Sequence, residues 1–164
     1  MRYAFLLVST FVTLSVCGCA TFSTDGGFNP VSDVARRHLR QEIKWPRNAD
    51  EQAKVDAQVN ALVKHPLSVE DAVQLALLNN RALQGDFEEL GISESDLVQA
   101  GRLQNPRFDL RHASAAGQFD IEESLSFNVL SLLTMPYARA LERQRFAETQ
   151  SATALQVARL AMDA

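Results

Sequence analysis

The sequence predicts a mainly α-helical fold that carries one β-hairpin, and two patterns support this prediction. Apolar residues recur at intervals of three and four over much of residues 31–103 and again after residue 136, which is the period of an amphipathic helix. Between these segments, polar and apolar residues alternate along two short stretches separated by a turn, which is typical of a β-hairpin. A chain of 164 residues, 46% of them hydrophobic, is long enough to bury a core.

The charge of the chain argues against a nucleic-acid partner. Lys and Arg number 16 against 20 Asp and Glu, which gives a net charge of −4, whereas nucleic-acid-binding proteins present a basic surface. The only two cysteines, Cys17 and Cys19, lie near the start of the sequence, so it offers no disulfide framework or zinc-ribbon spacing.

Residues 1–18 have the layout of a secretory signal peptide. Arg2 supplies a positive charge, residues 3–16 are apolar apart from Ser and Thr, and the small residue Gly18 precedes Cys19. The segment resembles a bacterial lipoprotein signal, which implies that Cys19 becomes the first residue and is acylated, for example with palmitate. By the same resemblance, Ala20 directs the lipoprotein to the outer membrane. An ordinary cleaved signal, an uncleaved anchor and a Cys-x-Cys metal site are the alternatives.

The next segments are predicted as a tether at residues 19–30 and two helices within residues 31–65. Residues 21–30 are polar and contain two glycines, as a tether to a lipid anchor requires. The helices are expected at about 31–43 and 49–64, and Trp45 and Pro46 separate them. We expect Trp45 to pack where these two helices turn.

A stronger helix signal begins at Ser68. Ser68 is a favourable N-cap, and Asp71 lies in the first turn, where a carboxylate complements the helix dipole. The Asn79-Asn80 pair interrupts the helical pattern, which resumes at 81–103 and ends before Pro106. With the hairpin and the last helical run, residues 66–164 are therefore predicted to form a helix–hairpin–helix unit.

The alternating stretches around residues 107–112 and 124–129 place side chains of different character on opposite faces of the hairpin. The apolar, candidate lipid-facing side chains are Phe108, Leu110, Leu125, Phe127 and Val129. The polar, candidate pore-facing side chains are Arg107, Asp109, Arg111, Ser124, Ser126 and Asn128. Strands of about ten residues suffice to cross a membrane at a tilt, but the pattern alone also fits a soluble hairpin packed over the helices, and alternating strands are commoner in soluble sheets.

The last predicted helix opens at Pro136 and runs to the last residue. Ala140, Ala147, Ala154 and Ala161 recur once per heptad, which suits closely spaced coiled-coil helices. No glycine, proline or other stop signal follows, so the sequence predicts a helix that is cut short.

The segment from Pro66 to Asn80 (PLSVEDAVQLALLNN), the segment from Leu90 to Gly101 (LGISESDLVQAG) and the Asn105-Pro106 pair resemble the opening of the TolC-type outer-membrane efflux protein family. The resemblance covers about residues 66–164 and includes the order helix, Asn-Asn break, helix, Asn-Pro, hairpin and long helix. Family members often have proline after the Asn pair, where this chain has Arg81. Many members are lipoproteins, in keeping with Cys19.

The resemblance implies a homotrimer whose protomers each give strand hairpins to a shared barrel in the outer membrane. Long periplasmic helices then form a tunnel that meets a periplasmic adaptor protein and an inner-membrane pump. The family has two tandem structural repeats, and this chain contains only the first, truncated one. We therefore expect a fragment or a truncated product, with an exported substrate that the sequence does not specify.

Two other classes of protein compete with the channel: an enzyme, and a lipoprotein that forms no channel. Catalysis would need the histidines and carboxylates, yet His38 and Glu42, four residues apart, supply only half a metal site. The sequence contains no Gly-x-Ser-x-Gly, His-Glu-x-x-His or phosphate-loop motif. We predict no enzymatic activity and no cofactor. A lipid-anchored helical scaffold that binds another protein without forming a pore remains the alternative to the channel.

Overall fold

The computed structural model describes residues 21–115 and 118–164, and helices predominate in this part of the chain. The predicted signal peptide and Cys19 lie outside the described residues. The elements in chain order are helix α1 (Phe28–Val34), which continues as a π-helical turn (Ala35–Leu39), α2 (Ala49–Leu62), α3 (Val69–Asn79), α4 (Arg81–Ala100), strands β1 (Arg107–Ala115) and β2 (Gln118–Ser126), and the long helix α5 (Val129–Asp163). The prediction of a mainly helical fold with one hairpin is confirmed.

Polar side chains at the helix starts explain several of these boundaries. Ser68 accepts a hydrogen bond from the amide of Asp71 at 3.1 Å, and the Asp71 carboxylate accepts one from the Ser68 amide at 3.1 Å, which closes a reciprocal capping box. Asn80 ends α3 and caps α4, because its side chain accepts from the amide of Leu83 at 3.0 Å. The predicted interruption at Asn79-Asn80 is therefore a change from one capped helix to the next.

The core joins residues from both ends of the chain. It consists of Val31, Ala35, Ile43, Leu77, Leu83, Phe87, Leu90 and Val157. Val31 and Ile43 belong to the predicted N-terminal helical segment 31–65, and both share this core with α3, α4 and α5. Since the removal of apolar side chains from water stabilises the fold, the first helix packs on the later ones through Val31 and Ala35.

The long helix starts earlier than predicted. Pro136 was expected to open it, but α5 begins at Val129, and Pro136 lies inside the helix. Asn128 provides the start, since its side chain accepts a hydrogen bond from the amide of Ser131 at 3.0 Å. The favourable cap upstream therefore determines the boundary, and the proline is accommodated about two turns into the helix.

Only part of the alanine row lies on the face of α5 that packs against the rest of the chain, since Ala154 packs against the core. Thr153 and Val157 are buried, whereas Ala140 and Ala147 are exposed. Within this chain the alanines therefore make no close helix–helix contact at these two positions, and the coiled coil stays a prediction. Among the described residues, none of the helices combines the length and the apolar character needed to cross a bilayer.

Candidate functional site

The hairpin keeps its polar and apolar side chains apart. Strands β1 and β2 pair antiparallel, with Phe108 opposite Leu125 and Asp109 opposite Ser124. Directly opposed residues share a face of the sheet, and successive residues alternate between faces. The face with Phe108 therefore also carries Leu110 and Leu125, and the other face carries Arg107, Asp109, Arg111, Ser124 and Ser126.

The apolar face of the hairpin is uncovered. Phe108 is 63% exposed and Leu125 is 57% exposed, although they lie directly opposite each other across the strands. In the described part of the chain, the two strands contact each other extensively, and neither makes more than slight contact with a helix. The alternative in which this face is buried against the chain's own helices therefore does not describe the structure.

The predicted second strand extends too far. Strand β2 ends at Ser126, so Asn128 and Val129 are not strand residues as expected. Asn128 instead caps α5 and donates a hydrogen bond to Gln104 Oε1 at 3.1 Å, while Val129 is the first residue of the helix. Phe127 lies between the strand and the cap. The alternating pattern continues by chance through these positions, and the capping preference of asparagine overrides it.

Glu123 is a feature of the apolar face that the sequence reasoning missed. The register places it opposite Leu110, so its carboxylate shares the face of Phe108 and Leu125. Glu123 is exposed. Glu123 therefore interrupts the apolar residues of this face beyond Leu125.

Exposed apolar residues continue from the hairpin into the start of α5. We call this surface the apolar band, and its members are Phe108, Leu110, Leu125, Phe127, Val129, Leu130, Leu132 and Leu133, each at least half exposed. Tyr137, which is 81% exposed, follows them one turn later. No charged residue occurs between Glu123 and Arg139. Soluble monomers rarely expose large apolar patches, and many exposed apolar residues close together in sequence favour a contact with a protein or a membrane.

Residues 21–28, which we call the N-terminal strap, pack along α4. The amide of Ser23 donates to Glu94 Oε1 at 2.6 Å, and Glu94 is only 5% exposed. The ring of Phe28 meets that of Phe87 edge-on at 5.0 Å between centroids. The predicted tether at residues 19–30 is therefore wrong for its described part, since a tether would be free of such contacts.

Two glycines allow the strap to lie so close to the helices. Gly26 has a φ of 65° and Gly27 has a φ of 76°, a left-handed conformation that disfavours any side chain. The carbonyl of Gly27 accepts a hydrogen bond from Gln150 Nε2 at 3.0 Å, and the ring of Phe146 occupies the space where a Cβ would lie. The glycines that suggested flexibility are thus required for packing.

Polar and aromatic groups around Trp45 also contact the strap. Trp45 Nε1 donates to Glu88 at 2.9 Å, and the Arg47 guanidinium lies 4.3 Å from the centre of the indole ring. Arg47 also donates to the backbone carbonyl of Asp25. Burial raises the pKa of the Asp25 carboxyl, but hydrogen bonds, the strongest from the Asn29 amide, outweigh it and keep that pKa below its usual value. Trp45 therefore packs between residues far apart in sequence, as part of the support for the strap.

The half metal site that the sequence offered at His38 and Glu42 has no additional ligands in the described part of the chain. Within residues 21–115 and 118–164, no group of three or more His, Cys, Asp or Glu side chains is placed to hold a metal ion. Glu42, the predicted partner of His38, instead pairs with Lys44 at 2.9 Å, and the hydrogen bond and charge of that lysine lower the pKa of the Glu42 carboxyl. The two features that stand out on the described surface are the exposed apolar band and the strap packed on α4 and α5.

Comparison of the chain with protein-family models, curated proteins and solved structures found no match. The function must therefore be inferred from the sequence and from the geometry of the hairpin, the apolar band and the strap.

Proposed function

We propose that this chain is the outer-membrane channel component of a tripartite efflux system of the TolC type, carrying solutes from the periplasm to the exterior. It corresponds to the first repeat of such a protein and is anchored by acylated Cys19. It works as a homotrimer together with a periplasmic adaptor protein and an inner-membrane pump. It transforms no substrate, and the resemblance of residues 66–164 to that family is the basis for these partners.

The observation that carries the proposal is the uncovered apolar face of a hairpin whose outer edges have no partner strand in the described chain. An isolated two-stranded hairpin is marginal in water. In lipid, unpaired backbone groups are costly, so only a closed barrel satisfies them. Further strands, from other copies or from a second repeat, would both pair the edges and orient Phe108 and Leu125 toward acyl chains.

The polar face of the hairpin supports the same arrangement. Arg107, Asp109 and Arg111 alternate with the apolar residues along β1, and Ser124 and Ser126 lie opposite two of them. Strands of outer-membrane barrels alternate apolar side chains toward lipid with polar ones toward the interior. These charged side chains would therefore line a water-filled lumen.

The test compares two neighbouring substitutions on β2 that lie on opposite faces, Leu125→Arg and Ser124→Arg. Each full-length variant is produced with its own signal peptide in a Gram-negative host, and membranes are washed with alkali or urea. An arginine on the lipid face costs about 2–4 kcal/mol at the bilayer centre and about 0–1 near its edges. Leu125 lies one residue from the strand end, so we expect a penalty of about 1–3 kcal/mol between these limits.

The proposal predicts that Leu125→Arg reduces the wash-resistant, cross-linkable trimer while Ser124→Arg retains it. Equal retention of both variants would contradict lipid contact at Leu125 and would favour the helical scaffold held by its acyl chains alone. The variant Cys19→Ala tests the anchor separately. Mass spectrometry of the parent protein should show acyl chains at Cys19, and their absence would refute the anchor without bearing on the hairpin.

A further inference from the structure

The first turns of α5 have two different sides. Ser131 and Met135 line a groove of about 620 Å³ toward the end of α4. Leu130, Leu133 and Tyr137 recur at intervals of three and four on another side, and all three are highly exposed. The exposed side is continuous in sequence with Phe127 and Leu125 of the apolar band.

The charge along α5 changes abruptly after this surface. Residues 124–138 carry no charge, whereas Arg139, Glu142, Arg143 and Arg145 follow within two turns. Glu142 is paired with Arg145 at 2.6 Å. An apolar segment followed by an exposed tyrosine and then by arginines is typical of a segment that lies at a membrane–water boundary. Tyrosine favours the level of the headgroups, and arginine favours anionic headgroups.

The N-terminal strap approaches the same end of the molecule. Followed backward, its contacts advance along α4, from Phe28 against Phe87, through Ser23 against Glu94, to Phe22, whose ring lies 6.0 Å from the Arg102 guanidinium. Arg102 lies just before the hairpin. Thr21 is two residues from Cys19, a span of at most about 7 Å. The described part of the strap therefore leads toward the end of the helices that carries the apolar band, and the predicted acylation site precedes Thr21 by two residues in the sequence.

We propose that the exposed face formed by Leu130, Leu133 and Tyr137 is a lipid-contact surface, seated at the boundary between acyl chains and headgroups of the membrane that receives the acyl chains of Cys19. The inference rests on the proposed function for the location in the outer membrane. The inference goes beyond the proposed function because a helix outside the hairpin makes the contact with lipid. Lipid is favoured over a second protein copy because the strap runs toward this end of the molecule and the predicted acylation site comes two residues before its first described residue.

The test places an environment-sensitive nitrobenzoxadiazole label at Leu133→Cys and, as a control, at Leu155→Cys. Both leucines are exposed apolar residues of α5, but Leu155 lies far from the apolar band. The full-length, processed protein is reconstituted in vesicles of phosphatidylethanolamine and phosphatidylglycerol, with or without acyl-brominated lipid. Parent protein taken through the same labelling measures any reaction at Cys19.

We expect brominated lipid to lower the fluorescence at position 133 about twofold, with little change at position 155. Two results would overturn the inference: a label at 133 that is quenched by aqueous iodide as strongly as at 155, or one shielded from both iodide and brominated lipid, as a contact with another copy would produce. Cross-linking and conductance are measured on the same vesicles. Lipid quenching at position 133 without trimers or conductance would refute the channel but not the lipid contact. Trimers with conductance but without quenching at position 133 would refute the lipid contact but not the channel.

Discussion

Replacing Gly27 by alanine should loosen the N-terminal strap and lower the stability of the whole chain. Gly27 has a φ of 76°, and a Cβ there would overlap the ring of Phe146 and lie 3.0 Å from Gln150 Nε2. The left-handed conformation costs a non-glycine residue about 1–2 kcal/mol, and overpacking costs about 1–3 kcal/mol. Alanine also reduces the conformational entropy of the unfolded chain, which stabilises the folded state by about 0.4–1 kcal/mol.

The expected loss for Gly27→Ala is therefore about 2–4 kcal/mol, since Phe146 is only half-buried and can yield somewhat. For a chain of this size, the loss corresponds to a midpoint of thermal unfolding lower by about 5–15 °C. The assay is circular dichroism of the purified full chain in detergent, followed through heat and urea unfolding. An unchanged midpoint would refute the close packing of the strap against α5.

Gly85→Ala is the matched control. Gly85 lies inside α4, and an added Cβ would meet nothing within 4 Å. Alanine exceeds glycine in helix propensity by about 1 kcal/mol, so this variant should unfold at a temperature about 2–4 °C higher. Destabilisation by Gly85→Ala would show that position 85 is covered by another molecule, and it would remove the contrast on which the Gly27 result depends.

Three further predictions concern the helix cap, the strap and the core. The Ser68 hydroxyl and amide hold the pKa of Asp71 below its ordinary value of 3.8, so the cap contributes fully to stability above pH 3.8, and its contribution is lost as the pH falls through the lower pKa of the folded state. The difference in unfolding midpoint between the parent and Asp71→Asn should therefore shrink over that pH interval. A constant difference would contradict the cap. Glu94→Ala should accelerate amide hydrogen exchange at Ser23 at least about tenfold, because it removes a charge-assisted bond of about 1.5–3 kcal/mol, whereas unchanged exchange would refute that contact. Phe87→Ala should cost about 3–5 kcal/mol in urea unfolding, since Phe87 is fully buried, and a loss below about 1 kcal/mol would place it outside the core.

The local elements could be predicted from the sequence because their signals are local. Ser68 and Asn80 begin helices with their own side chains, and the alternation from Arg107 to Arg111 specifies a strand without help from elsewhere. To predict that Leu110 pairs with Glu123, one must also know which residues the two strands pair first. Once β1 and β2 are joined at Ala115 and Gln118, every pair follows, and Glu123 necessarily shares the apolar face.

The strap could not be predicted, because its signal is ambiguous in a single sequence. Gly26 and Gly27 among polar residues indicate flexibility as readily as a left-handed backbone. The partners that distinguish these interpretations, Glu94 and Gln150, lie 71 and 123 residues away from the strap residues they bind. The prediction of where α5 starts was wrong for a related reason. Asn128 fits both an alternating strand and a helix cap, and only the end of β2 at Ser126 distinguishes the two.

The long sequence separation between Gly27 and Gln150 has a consequence for biogenesis. A ribosome makes a chain from its N-terminus, and contacts of high sequence separation form late. The surface against which Gly27 rests is not complete until Phe146 and Gln150 have been synthesised. The contacts of Gly27 with Phe146 and Gln150 would therefore form only after the intervening helices and hairpin have left the ribosome, and the strap would stay open to solvent until then.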